Sequence, residues 1–374
     1  MKIRVFTDFR FTANTTPTGV GKHIFQMAQG LANNTSNQVS ILATKDQMGQ
    51  AEAFSKQLSL NAPLTQLPLP WKAADALWTL TGGKAVDNYC SDTDWVYCPK
   101  NDFIPLRKTK LAITIHGAHE LDPQMSQSND IASRLNRMRR KMTYLRIVSR
   151  ADLILTVSNF LKEQIIDWFD CDEKKIIVVG NGVEQNYFDV AQKPAGISGY
   201  ATDKPYLLSI GGLNAIDGGD NILNVAQHLK KTCPELIIRV AGNQHEPKLL
   251  AIAEKLDNVE LLGYVPKEQL APLMRDALAL LFLTRYETFG IAAIEAMAAG
   301  TPVITSGGTA VPETIGDAGL YVSLDAMEVN ETIVKLINDP QLYEVMRNKG
   351  FERAQHFTWN ACVDRLHSAL LHHS

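Results

Sequence analysis

The chain has 374 residues, 45% of them hydrophobic, with 37 basic against 40 acidic side chains and a net charge of −3. That length carries two cores, and the near balance of charge excludes a general nucleic-acid binder, which needs a broad basic face to displace counterions. The five cysteines, Cys90, Cys98, Cys171, Cys233 and Cys362, are scattered and odd in number. They make neither a disulfide framework nor paired metal spacing, so a reducing cytoplasm is the expected setting.

The first residues run straight into a strand pattern, with no signal-peptide core, and no apolar stretch reaches the roughly 18 residues of a membrane span. Apolar runs follow at 3–6, 39–43, 95–98, 111–115, 153–157 and 176–179, with amphipathic segments such as 20–32 and 159–169 between them. The second half repeats the rhythm, with runs at 206–210, 236–241, 259–262, 278–283, 303–305 and 319–322 and helical patterns at 221–230, 291–299 and 329–338. Alternation of this kind predicts βα units and parallel sheets. Segment 192–204 contains Pro194, Gly196 and Gly199 and has no periodicity, which marks a linker. The expectation is α/β, two doubly wound Rossmann-like domains over 1–195 and 204–356. Ligands in such sheets sit at the carboxyl ends of the strands where the strand order reverses, which predicts a site in a cleft between the domains.

In the first half, Thr15, Thr16, Pro17, Thr18, Gly19, Val20, Gly21, Lys22 and His23 form a glycine-containing turn that opens a helix. Such a turn can cradle phosphate. A nucleotide P-loop fails here, because Thr16 occupies its first glycine position and His23 its hydroxyl position. A dinucleotide fingerprint fails at Ile24. A plain loop-to-helix turn accounts for the residues equally well. His116 closes the 111–115 strand and precedes Gly117. A lone histidine there is commonly a packing residue, yet the carboxyl end of a parallel strand is where ligands bind. Over 134–150, Arg134, Arg137, Arg139, Arg140, Lys141, Arg146 and Arg150 accompany Leu135, Met138, Met142 and Leu145 at helical spacing. This reads as a solvated basic face over a core stripe. The other reading is peripheral contact with an anionic membrane or a lipid pyrophosphate.

In the second half, loop 284–289 leads from a buried strand into a helix that starts near Gly290 and stops at Gly300, just before Pro302. The first turn, Gly290, Ile291, Ala292 and Ala293, has no bulky polar side chain. Its N–H groups can meet a diphosphate, which the helix dipole favours. Glu287 precedes the helix and Glu295 lies two turns inside it. On composition alone these are a solvated loop acid and a helix-surface acid.

The stretch Glu287, Thr288, Phe289, Gly290 to Glu295, with Gly300, Thr301, Pro302, Val303 and Ile304 after it, resembles the donor motif of family 4 retaining glycosyltransferases, which have the GT-B fold. Residues 307–313 and 316–319 also fit, and the likeness runs from about residue 3 to the C-terminus. The resemblance implies that Glu287 contacts the donor hexose, Glu295 the ribose, and that Thr288, Phe289, Gly290 and Ile291 border the donor. It implies that Gly19 and Gly21 let the backbone approach the donor phosphate or the acceptor, that His116 touches the donor sugar, and that the helix within 357–374 crosses back to the first domain. The donor would be a nucleoside diphosphate sugar, UDP-hexose being favoured and GDP-mannose open, used without a cofactor or metal. The acceptor would be a saccharide or a lipid-linked saccharide of a bacterial envelope polymer.

One departure stands out. The family usually has an arginine and a lysine in the loop after the first strand of the second domain, where they bind the diphosphate. Here that loop contains Gly211, Gly212 and Asp217, and no lysine or arginine lies between Lys204 and Lys230. Each lost charged hydrogen bond costs roughly 1.5–3 kcal/mol. Three readings follow. The diphosphate rests on the helix start at 290–292 with help from Arg285, the donor is bound weakly or differently, or the chain is a degenerate, non-catalytic nucleotide-sugar-binding subunit. A GT-B-fold epimerase or phosphorylase fits less well, since the paired glutamates belong to the transferases.

Overall fold

A computed structural model gives the fold and describes residues 1–12, 18–61, 64–122, 125, 130–194, 196, 204–243 and 246–373. The chain forms two units, Met1–Asn181 with Trp359–Ser374, and Gly182–Thr358. The division precedes the 192–204 segment named as linker, most of which lies outside the described residues.

In chain order the first unit contains β1 (Lys2–Val5), α1 (Gly19–Asn33), β2 (Gln38–Thr44), α2 (Met48–Gln57), β3 (Thr65–Leu67), α3 (Trp71–Thr81), β4 (Trp95–Cys98), β5 (Lys110–Ile115), α4 (Ile131–Arg150), β6 (Leu153–Thr156), α5 (Asn159–Phe169) and β7 (Ile176–Val178). The second contains α6 (Gln185–Ala191), β8 (Tyr206–Ile210), α7 (Gly219–Thr232), β9 (Ile237–Ala241), α8 (Pro247–Ala253), β10 (Val259–Gly263), α9 (Lys267–Asp276), β11 (Ala279–Phe282), α10 (Ile291–Ala298), β12 (Val303–Ser306), α11 (Val311–Ile315), β13 (Gly319–Val322), α12 (Ala326–Asn338) and α13 (Pro340–Ala354). The last helix, α14 (Trp359–His372), returns to the first unit.

Both sheets are parallel and doubly wound. The first runs β3-β2-β1-β4-β5-β6-β7 and the second β10-β9-β8-β11-β12-β13. Strand order therefore reverses between β1 and β4 and between β8 and β11. The expected runs all become strands, because helices cover both faces and make most of their side chains apolar, with hydrogen-bonded exceptions such as Arg239 and Thr305. β3 escaped the sequence pattern: it is a three-residue edge strand, Thr-Gln-Leu, with only Leu67 buried.

Local chemistry sets the helix ends. In α5 the Ser158 hydroxyl accepts the Leu161 N–H at 3.2 Å, Asp170 closes the helix at φ +50°, and Leu161, Ile165 and Phe169 fall on the buried face. Helix α14 adds Trp359, Cys362, Val363, Leu366 and Leu370 to the core that α1 forms over β1 and β2. Gly30 makes this close approach possible, since a Cβ there would lie 2.2 Å from a methyl of Val363.

Candidate functional site

The carboxyl ends of β8, β11 and β12 bring the second-half residues together. After β11, Glu287 is partly buried, and its Oε1 accepts the N–H of Thr288 at 2.9 Å and of Phe289 at 3.1 Å. Burial raises its pKa above the usual carboxylate range. The amides of Phe289, Thr288 and Gly290 oppose that rise, and the nearby Asp217 charge adds to it. Gly290, at φ +95°, is the residue before α10, and no side chain caps that helix. The amides of Ile291 and Ala292 are thus among the orphan donors at its start. Glu295 lies one turn into α10 and not the two expected, because the helix starts only at Ile291, and it is buried at 3% exposure where the Tyr187 hydroxyl of α6 hydrogen-bonds it. It is not the helix-surface acid that composition suggested.

Three expected donor-site residues have other work. Gly211 and Gly212 both donate their N–H to the Ala241 carbonyl, at 3.1 and 3.0 Å. Gly212 has φ +79°, and a Cβ on it would lie 1.9 Å from the Asn243 carbonyl oxygen. This backbone has no room for the arginine the family places there. Arg285 was expected to help with the diphosphate. Its Nη1 and Nη2 instead grip both oxygens of Asp220, at 2.6 and 2.7 Å, and reach Ala215 O at 2.6 Å and Asn221 Oδ1 at 3.1 Å. The guanidinium is a strut between the loops after β8 and β11, its charge matched by Asp220. Asp217 belongs to the same loop: it accepts the Asn214 amide at 2.6 Å and donates its own N–H to Asn214 Oδ1 at 2.8 Å.

In the first unit, His116 ends β5 as the sequence suggested. Its Nε2 lies 2.8 Å from the Pro99 carbonyl. A carbonyl only accepts, so Nε2 carries the hydrogen and Nδ1 keeps a lone pair. Burial lowers its pKa to about 4, so the ring is neutral near pH 7. His23, which the sequence reading used only to reject a P-loop, stacks edge-on against it with centroids 4.5 Å apart. His23 is fully buried, its Nδ1 donates to Asn181 Oδ1 at 2.8 Å, and burial pushes its pKa well down. Gly19 begins α1, whose cap is Thr18. The Gly21 amide is spent on the Thr18 hydroxyl at 3.1 Å, and a Cβ at Gly21 would lie 2.9 Å from the Phe11 carbonyl. Gly21 therefore serves the turn itself. Thr15, Thr16 and Pro17 lie outside the described residues.

Helix α4 corrects the core-stripe reading of the basic segment. Only Thr143, Tyr144 and Ile147 are buried, while Ile131, Leu135, Met138 and Leu145 are 77%, 57%, 59% and 46% exposed. Arg139 pairs with Asp75 and Arg140 approaches Glu120. A cavity of about 650 Å³ beside the helix is bordered by Arg137, Met138, Lys141, Trp168 and Phe169. No helix among the described residues is long and apolar enough to cross a membrane.

Comparison with known proteins agrees with the fold. Residues 17–187 match the family described as glycosyltransferase family 4, and residues 192–353 the family described as glycosyl transferases group 1. The chain is 25% identical over 369 residues to O-antigen chain mannosyltransferase B of Escherichia coli, covering 92% of this chain and 94% of that protein. It is also 25% identical over 241 residues to D-inositol 3-phosphate glycosyltransferase of Thermobifida fusca, covering 60% of this chain and 56% of that one. Among solved structures, Anabaena Alr3699/HepE in complex with UDP and glucose superposes with a TM-score of 0.74 at 14% identity, over 99% of both chains.

Proposed function

Since the chain belongs to the family 4 glycosyltransferases, we propose that it moves a hexose from a nucleoside diphosphate sugar, UDP-hexose or GDP-mannose, to a saccharide or lipid-linked saccharide, with retention at the anomeric carbon, in the synthesis of a bacterial surface polysaccharide. The relative that acts on an O-antigen chain supports the polymer class, and the neighbour solved with UDP and glucose supports a UDP donor. The carrying observation is the seat of Glu287: the amides of Thr288 and Phe289 fix Oε1 at the mouth of an uncapped helix, where the carboxylate is set to accept a sugar hydroxyl at Oε2.

The bond between the sugar carbon and the diphosphate breaks, the acceptor oxygen attacks from the same face, and the leaving phosphate oxygen takes its proton. With Arg285 neutralised by Asp220, the start of α10 is the positive end that stabilises the departing diphosphate. The neutral His116 accepts a hydrogen bond from a substrate hydroxyl at Nδ1 and need not act as a base. Unpaired thiols at all five cysteines support a reducing, cytoplasmic setting.

Thermal shift against UDP-, GDP- and ADP-sugars, followed by donor hydrolysis, tests this reading. Glu287→Ala is expected to abolish hydrolysis while the bare nucleotide still raises the melting temperature. Undiminished hydrolysis in Glu287→Ala, or no stabilisation by any sugar nucleotide, refutes it. Donor binding without turnover in the parent chain favours the non-catalytic subunit.

The exposed apolar stripe of α4, flanked by Arg134, Arg137 and Lys141, favours a second element: peripheral docking on an anionic membrane, where a lipid-linked acceptor would lie. Co-sedimentation with liposomes should rise with phosphatidylglycerol content and fall in Arg137→Glu with Lys141→Glu. Indifference to anionic lipid removes this element.

A further inference from the structure

The backbone of Glu287 is clasped by a residue whose own conformation is unfavourable. Thr309 follows β12 at φ +54°, the left-handed region in which a β-branched residue is a genuine outlier. The two glycines before it, Gly307 and Gly308, could enter that region freely, yet both stay outside it. The strain therefore falls on the one residue of the three that has a hydroxyl.

In this conformation the Thr309 Oγ1 accepts the N–H of Glu287 at 2.9 Å, and the next amide, Ala310 N–H, donates to the Glu287 carbonyl at 3.1 Å. Both main-chain polar groups of Glu287 are thereby tied to the loop after β12, while its Oε1 is tied to Thr288 and Phe289. A glycine at 309 would relax the backbone but leave the Glu287 N–H without its acceptor. Strain at a site persists only where its surroundings hold it in place, and the reciprocal bonds with Glu287 do so here.

We propose that Thr309 is a positioning residue which fixes the main chain of Glu287, so that the second carboxylate oxygen meets a sugar hydroxyl in one geometry. This rests on the reading of Glu287 as the sugar contact. Because the clasp acts on the sugar and not on the nucleotide, its signature is the difference in affinity between a nucleotide sugar and the matching nucleotide.

The test measures binding of UDP-glucose against UDP and of GDP-mannose against GDP by calorimetry, with the full chain. Thr309→Val keeps the shape and loses the hydroxyl; Thr309→Ala does so with less bulk should the valine variant fold poorly; Thr309→Ser keeps the hydroxyl. The expected result is a loss of about three- to tenfold in nucleotide-sugar affinity for Val and Ala, the size of one hydrogen bond. Affinity for the bare nucleotide should not change, and Ser should match the parent. A parallel loss of nucleotide affinity, or no loss of sugar affinity while Glu287→Ala does lose it, overturns the clasp. Sugar affinity that survives Glu287→Ala as well, or a parent chain that binds neither pair, refutes the Glu287 reading itself.

Discussion

Gly212 explains why the loop after β8 lacks the arginine that the family resemblance leads one to expect, and Gly212→Ala puts that explanation at risk. A methyl group there would lie 1.9 Å from the carbonyl oxygen of Asn243, 2.9 Å from its carbon and 3.1 Å from its nitrogen. Ordinary contact starts at 3.4 Å, so the carbonyl would have to retreat by more than an ångström. It has little freedom to do so. The preceding Gly242 donates to the Gly263 carbonyl at 2.7 Å, and a Cβ on Gly242 would itself lie 2.5 Å from the Gly212 nitrogen. The left-handed φ costs about 1–2 kcal/mol and the backbone displacement roughly as much again. A sum of about 3 kcal/mol in a unit of this size lowers the melting temperature by roughly 6–12 °C. Scanning calorimetry of Gly212→Ala and Gly212→Arg reads this directly. The arginine variant, although it reinstates the family's side chain, should be destabilised at least as much and gain no affinity for UDP or GDP. A variant that melts with the parent, or an intact arginine variant that binds nucleotide more tightly, refutes the reasoning.

Arg285→Lys loses the two-pronged grip on Asp220. Because the pair is about a third exposed, it should cost only about 1 kcal/mol of stability and leave donor affinity within a few-fold, whereas a direct diphosphate contact would show a larger loss of affinity on calorimetry. The buried neutral histidines make stability depend on pH. His116 binds its proton more weakly folded, near pH 4, than unfolded, near 6.5, and His23 is shifted the same way, so the unfolded chain takes up more protons below 6.5. Stability is complete above that pH and declines as pH falls toward 4, by up to roughly 3 kcal/mol from His116. Urea titrations at pH 7 and 5 should show the decline, and His116→Gln should reduce it while the His23 share remains. Gly30→Ala forces a methyl into Val363 and should destabilise the first unit by roughly 1–3 kcal/mol, and Val363→Ala in the same chain should restore much of the loss.

The strands were legible because a parallel sheet covered on both faces favours apolar side chains, as in the fully buried four-residue runs of β4 and β6. The edge strand β3 was not, since half of it faces solvent. The paired glutamates were singled out by the resemblance of the residues around them to a family motif, since composition alone read them as surface acids, and His116 by its place at a strand end. Their partners could not. Asp220 stands 65 residues from Arg285, Thr309 22 residues from Glu287, and His23 is paired with Asn181 across 158. The sequence by itself marked all the strands but β3 and set Glu287 and Glu295 about the start of α10, because those signals are local. Tertiary structure alone decided which charges are already matched, which amides are spent and which face of α4 is left uncovered. Each of these depends on what the fold lays alongside a residue, and nearest neighbours in the chain do not encode it.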